Sequence, residues 1–312
     1  MEYRELGKTK IKVSRLCFGA LTIGPLQRNL SLNEGSRLIR KALEAGVNFI
    51  DTAQLYGTYS YIRRALDNWD REVIIATKTY AYTAEMMCEA LEEARRELDM
   101  DVIPIFMLHE QESEHTIRGH WPALEYLLNA KVKGKVKAVG ISTHHVQGVL
   151  GACSYPEIEI ISPMINVTGI GIQGGSREDM LAAIKQAADL GKGIYAMKPL
   201  GGGHLIARQQ EALSFLLNLS DIDAIAVGMK SDIELERNLA HFEGKPIKVD
   251  LIEQPDRKLH IDDWCILCGR CVNTCPSRAL KMTEKKIVVD PEKCVFCGYC
   301  GAVCPEFAIK VI

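Results

Sequence analysis

Residues 31–53 read SLNEGSRLIRKALEAGVNFIDTA, and this stretch holds one full beat of the fold. From Leu32 to Ala45, apolar residues recur at three- and four-residue steps, as on a helix with one buried face. Ser31 stands where a helix N-cap belongs, and Gly46 where a helix stops. Residues 47–53 then form a short run with no polar face, the pattern of a parallel strand covered on both sides.

The beat recurs eight times in the first 250 residues. The strand candidates are 14–20, 47–53, 73–78, 103–109, 136–143, 158–166, 193–198 and 223–229. Between them lie helical patterns such as Ala84–Leu98 and Arg177–Leu190, the second bounded by Ser176 and Gly191. Strands alternating with helices make parallel βα units, and eight of them in this length predict an α/β fold, a (β/α)8 TIM barrel. An open doubly wound sheet is the rival, but no G-x-G-x-x-G follows the first strand. The opening MEYRELGKTKIKVSRL predicts two short strands around Gly7–Lys8, a hairpin plugging the bottom of the barrel. Residues 244–260, poor in pattern and holding two prolines, read as a linker. The division expected is a barrel over 1–250 and a small domain over 251–312.

Eight of the eleven cysteines fall in that small domain, as CILCGRCVNTCP (265–276) and CVFCGYCGAVCP (294–305). Each reads C-x2-C-x2-C-x3-C-P, the spacing that wraps a cubane iron–sulfur cluster, with the fourth cysteine serving the other cube. The expected ligand sets are Cys265, Cys268, Cys271 and Cys304 for one 4Fe–4S cluster, and Cys294, Cys297, Cys300 and Cys275 for a second. Zinc takes four ligands and is overshot by eight cysteines, and a disulfide framework needs an exported chain. The tail resembles bacterial two-cluster ferredoxins over about residues 258–312, which implies a small α+β domain. Cys17, Cys88 and Cys153 lie singly in apolar stretches and read as small core residues.

Chemistry in a TIM barrel sits at the C-terminal ends of the strands. Those ends carry Asp51, then Tyr56–Gly57, Lys78 and His109. A carboxylate, a phenol, an ammonium and an imidazole thus converge from adjacent strands. D-T-A-x-x-Y-G with the two following strand ends resembles the tetrad of the aldo/keto reductase family, over about residues 1–245. With the cysteine tail, the chain resembles the ferredoxin-fused branch of that family. The resemblance implies carbonyl–alcohol interconversion with NADPH as hydride donor. It makes Tyr56 the general acid or base, and His109 the group that orients the substrate oxygen. On physical grounds Lys78, kept charged by Asp51, is expected to lower the Tyr56 pKa.

The resemblance also places the nucleotide. Ser142 and Thr143 fall where the family holds the nicotinamide carboxamide, and Asn166 where it often has Gln. The loops after the seventh and eighth strands bring Lys198, Gly201, Gly228, Lys230 and Ser231, and Asn238 falls on the helix after them. Barrel phosphate sites favour these loops. The departures are Met197 in place of an aromatic, Thr143 in place of Asn, and Glu234 and Arg237 where relatives often place an Arg and a Glu. They leave room for a second reading: the clusters feed electrons to a substrate in the barrel without nicotinamide, or through a flavin. A third is a non-catalytic electron carrier, which an intact tetrad argues against.

The net charge is −2 with no basic stripe, so nucleic acid is not an expected partner. No apolar run approaches the ~20 residues of a membrane span, and the first residues show no signal core. With reduced thiols, this predicts a cytoplasmic protein acting on a small-molecule carbonyl or alcohol, with a redox partner protein for the clusters. The cluster domain is expected to lie against the barrel mouth as one wall of the pocket. Trp264, just before Cys265, is expected either to dock or to shield the cluster.

Overall fold

A computed structural model describes residues 1–247, 258–294, 296 and 298–311. The chain opens with an antiparallel hairpin, β1 (Tyr3–Glu5) and β2 (Lys12–Ser14). Eight parallel strands follow: β3 (Leu16–Gly19), β4 (Phe49–Asp51), β5 (Ile74–Thr79), β6 (Ile103–Leu108), β7 (Val136–Thr143), β8 (Ile160–Pro163), β9 (Gly193–Ala196) and β10 (Ala224–Gly228). They close into a barrel in which β10 pairs with β3. The strands match the sequence reading in number and place, and most are shorter at their ends.

Alternation along the strands explains why they read as apolar throughout. Cys17, Phe49, Ala76, Ile105, Ala138 and Tyr195 point into the barrel. Their neighbours Phe18, Ile50, Ile75, Phe106, Val139 and Ile194 face the surrounding helices. Helix Leu32–Glu44 begins with a capping box between Ser31 and Glu34, and helix Arg177–Asp189 with one between Ser176 and Asp179. The hairpin caps the bottom: the Gly7 amide donates to the Asp223 carboxylate at 3.2 Å, and Leu6 joins the inner core.

The last barrel helix is Asp232–Phe242. The expected domain boundary at 250/251 lies outside the described residues. The cluster domain contains β11 (Leu259–Ile261), β12 (Leu280–Met282), β13 (Ile287–Val289) and β14 (Ile309–Val311). β11 pairs with β14 and β12 with β13, both antiparallel. Two short helices, Arg270–Thr274 and Tyr299–Ala302, carry the middle of each cysteine run.

This domain packs on the barrel mouth, as expected. The contact is made by the glycines after β9. A Cβ on Gly202 would meet the Phe307 ring at 2.9 Å, and one on Gly203 would overlap the Val311 carbonyl oxygen. His204 follows, its Nε2 2.9 Å from the Ile309 carbonyl oxygen. Trp264 is 54 % exposed and donates to the Glu306 carbonyl oxygen at 3.4 Å, so it packs within the cluster domain.

Gly203 has φ +92, so alanine there suffers both backbone strain and the Val311 overlap. Gly134 has φ +74 with nothing within 4 Å and suffers strain alone. Gly203→Ala should therefore cost about 1–3 kcal/mol more than Gly134→Ala. Thermal unfolding of the two cluster-loaded variants checks this; equal shifts would contradict the packing described.

Candidate active site

Strand alternation builds the site. Phe49 points inward, so Asp51 does too; Ala76 inward carries Lys78, and Met107 inward carries His109. The Lys78 ammonium lies 2.7 Å from Asp51 Oδ2 and donates to the Thr52 carbonyl oxygen at 2.7 Å. Tyr195, inside the barrel from β9, donates its hydroxyl to the same Asp51 oxygen at 2.9 Å. Nothing in the sequence marked Tyr195 as a partner; its inward parity in β9 is the signal that finds it.

Tyr56 ends a 3-10 turn, Gln54–Tyr56. Gln54 pins that turn from both sides, accepting from Thr79 Oγ1 at 2.5 Å and donating to Glu93 at 2.6 Å. The Tyr56 ring lies with its centroid 5.1 Å from Lys78 Nζ and 5.7 Å from the His109 ring, edge to face. Here the structure corrects an expectation. Burial, then the negative charges of Asp51 and Glu110, push the Tyr56 pKa well above that of a free phenol. Two of the Lys78 donor bonds go to Asp51 and Thr52, and the ammonium lies over the ring.

His109 is 5 % exposed, and its Nδ1 has no hydrogen-bond partner among the described residues. Burial, then the Lys78 charge, pushes its pKa down to about 3, so the imidazole is neutral. Its ring stacks on Tyr80 at 4.4 Å, and the Tyr80 hydroxyl donates to Glu110 at 2.6 Å. Burial alone would raise the Glu110 pKa, but Lys198, His109, the Tyr80 bond and Lys310 together hold it below the usual carboxylate value.

An open cleft of ≈ 1130 Å³ runs from Asp51 and Tyr56 past Gly19 and Gly228 to Lys230 and Arg237. Lys310 and Val311 of the cluster domain form part of its wall. At the far end the Gln209 amide donates to Asn238 Oδ1 at 2.5 Å, and among the described residues the buried Gln209 Oε1 and Arg237 Nε have no hydrogen-bond partner. An unspent acceptor and an unspent donor on a cleft wall fit a bound polar group such as a nucleotide. Gln209 was not recognised in the sequence.

Of the nucleotide candidates, Lys198, Gly228, Lys230 and Asn238 line the cleft. Ser142, Thr143, Asn166, Gly201 and Ser231 are not brought to it. Ser142 Oγ accepts from the Glu110 amide, Thr143 Oγ1 from the His145 amide and Asn166 Oδ1 from the Ile170 amide. Thr143 and Asn166 serve their own loops, and Ser142 ties the end of β7 to the turn after β6. Ser231 caps the helix that begins at Asp232. Gly201 is buried, and its neighbours Gly202 and Gly203 reach the cleft instead.

Cys265, Cys268, Cys271 and Cys304 wall one hollow of ≈ 310 Å³. Cys275, Cys294 and Cys300 wall a second of ≈ 330 Å³, and Cys297 lies outside the described residues. The Ala308 amide donates to Cys304 Sγ at 3.2 Å and the Ala279 amide to Cys275 Sγ at 3.3 Å. Converging thiols with N–H donors to sulfur fit iron–sulfur clusters, whose potentials such bonds tune. Cys17 is buried; Cys88 and Cys153 are partly so.

Residues 15–215 match the aldo/keto reductase family, and residues 264–308 match a 4Fe-4S dicluster domain. The chain belongs to the aldo/keto reductase family, and is an oxidoreductase enzyme of that family with a ferredoxin domain at its C-terminal end. The family acts on small-molecule carbonyl compounds. Among similar proteins, 6-dehydroglucose reductase of Novosphingobium aromaticivorans is 26% identical over 74% of this chain and 79% of its own length. L-galactose dehydrogenase of Arabidopsis thaliana is 24% identical over 77% of this chain and 88% of its own. A solved aldo-keto reductase from Bacillus halodurans shares the fold, with TM-score 0.67, 20% identity, and coverage of 80% of this chain and 94% of that one. Among the described residues, no helix is long and apolar enough to cross a membrane.

Two outcomes follow from the geometry. Lys78→Met strips the buried Asp51 of its cation and should cost about 3–5 kcal/mol, whereas Asp51→Asn with Lys78→Met should recover much of the loss, because Tyr195 can donate to an amide oxygen. Denaturant titration of the three variants checks this. Unfolded His109 takes up a proton near 6.5 and the folded one only near 3, so its share of stability is present above 6.5 and lost as pH falls toward 3. His109→Gln should therefore lose about 1 kcal/mol less than the parent between pH 7 and 5.5, measured the same way.

Proposed function

We propose that the chain reduces a small-molecule carbonyl to an alcohol with NADPH, and that its ferredoxin domain carries two 4Fe–4S clusters. The observation that carries this reading is the convergence of Asp51 and Tyr56 on one cleft, with Lys78 paired to Asp51 and a neutral His109 against the Tyr56 ring. The barrel domain is taken as residues 1–250 and the cluster domain as 251–312. A reducing compartment such as the cytoplasm suits the thiols.

When bound, NADPH supplies the hydride. Lys230, Arg237, Gln209 and Asn238 line the cleft wall that would hold the nucleotide, beside the N-terminus of helix Asp232–Phe242. The Tyr56 phenol holds its proton at rest, because burial and nearby carboxylates oppose the phenolate. An alkoxide is about as basic as hydroxide and far more basic than a phenolate, so the phenol is a competent donor to it. Lys78, over the ring, stabilises the negative charge left on Tyr56. Neutral His109 offers a ring N–H to the carbonyl oxygen without an imidazolium competing as acid. A raised phenol pKa keeps Tyr56 in the protonated form that carbonyl reduction needs.

A second reading rests on the cluster domain itself. Its residues Lys310 and Val311 form cleft wall only a few positions beyond Cys304. Single electrons would then enter from a redox partner protein and pass to a substrate or a flavin in the cleft, with Tyr56 and Lys78 supplying protons. Anaerobic titration of the cluster-loaded protein with NADPH separates the two. Tight binding without bleaching supports hydride chemistry, and no binding supports the second reading. On the first reading, Tyr56→Phe should lower carbonyl reduction by about 10²–10⁴-fold with the cluster absorbance intact. Iron analysis should give about eight atoms per chain, four per cluster, and Cys268→Ser should lose one cluster's share.

A further inference from the structure

Lys198 follows β9 with φ +55, a backbone conformation that an L side chain adopts only at a cost. It carries the side chain across the mouth toward the ends of β6 and β7. There Nζ lies 2.7 Å from His144 Nε2 and 4.9 Å from the centroid of the Phe307 ring. Burial, then the charges of Lys198 and Lys310, hold His144 neutral, so its ring nitrogen takes one ammonium N–H, and among the described residues the other two have no hydrogen-bond partner.

The other cations nearby are paired. Lys78 is held by Asp51, and Lys310 by Asp262. Glu110 accepts from Tyr80 and lies 3.5 Å from His144. Among the described residues, no carboxylate lies within ion-pair distance of Lys198. Burial, then the Lys310 charge, pushes its pKa down to about 7. Glu110 and Asp262 act on it only from beyond ion-pair distance, so its desolvation on the cleft wall carries a cost that an anionic ligand in direct contact would lower.

We propose that Lys198 docks the carboxylate of the substrate, and that the substrate is an oxo acid reduced at its carbonyl to the hydroxy acid. This deepens, and rests on, the carbonyl-reduction reading. Position separates this role from nucleotide binding: Lys230 and Arg237 lie beyond β10, whereas the field of Lys198 reaches His109 and Glu110. One ammonium beside a neutral imidazole suits a monoanion; a phosphate calls for more donors. In the reaction the carbonyl carbon accepts the hydride that NADPH loses on becoming NADP⁺. The C=O π bond breaks, the oxygen takes the Tyr56 proton, solvent restores that proton, and the carboxylate is unchanged.

The test compares pyruvate, acetoacetate and levulinate with their methyl esters on the full-length, cluster-loaded protein. NADPH oxidation gives kcat/KM, and calorimetry gives binding of each acid. Wild type should prefer at least one acid to its ester by about tenfold or more. Lys198→Met should lower that preference roughly 30-fold, or abolish it, and Lys198→Arg should keep most of it. Equal use of acid and ester by wild type, or a preference that survives Lys198→Met, overturns the proposal. If no carbonyl compound is reduced, the carbonyl-reduction reading fails and calorimetry decides this one. Acid binding that Lys198→Met weakens upholds the anion site; absent or unchanged binding refutes it. Should Lys198→Met not fold, the wild-type comparison and Lys198→Arg still decide.

Discussion

A lysine ammonium buried inside a protein is tolerable only where its surroundings fix it, and the active centre is organised around one such group. Lys78 is 1 % exposed and sits between the Asp51 carboxylate and the Thr52 carbonyl oxygen. Desolvating that pair costs several kcal/mol per ion, so it persists because further hydrogen bonds saturate it. Tyr195 supplies one of them from the opposite side of the barrel. The consequence for chemistry is geometric. With the pair locked to β4 and β5, the ammonium has a fixed place over the Tyr56 ring, and the phenol has a fixed place beside His109. Positioning of this kind lowers a barrier without any motion at the moment of reaction.

Much of this was legible in the sequence because period-two alternation leaves no freedom. Once Phe49, Ala76 and Met107 are inward, the residues two further on must be inward as well, and they are Asp51, Lys78 and His109. The helices were readable for a similar reason: Ser31 and Ser176 each precede an acidic residue by three, and both form capping boxes. The doubled cysteine spacing likewise announced two hollows, with Cys304 in the first and Cys275 in the second.

Residues at strand ends and in loops were less legible, because a hydroxyl or amide can satisfy either a ligand or nearby backbone. Ser142, Thr143 and Asn166 took the second course, and nothing in residue type distinguishes the two. The Tyr56 pKa misled for a related reason. A lysine at the end of the adjacent strand promised a lowered value, but burial and the carboxylates of Asp51 and Glu110 act in the opposite sense and prevail. The sign of such a shift depends on desolvation, which only the assembled cleft reveals. The three glycines at 201–203 suggested a phosphate loop, whereas two of them are required by a second domain pressing on the backbone.

That last contact ties the two halves of the molecule to one site. Gly202 and Gly203 line the cleft and also receive Phe307 and Val311, so the surface that holds the cluster domain is also a wall of the cleft. Phe307 lies three positions past Cys304, a candidate cluster ligand, and its ring lies against Lys198 on the cleft side. A change at this seam is therefore felt by the Lys198–His144 pair and by the walls of the first cysteine hollow together. A separate ferredoxin meeting the barrel in solution would have to form this surface anew at each encounter, at the entropic cost of association. Covalent attachment converts that step into an intramolecular one, and the close glycine contacts fix its geometry. The domain is thus both a wall of the pocket and a candidate source or sink of electrons beside it, and the first role constrains where the second can act.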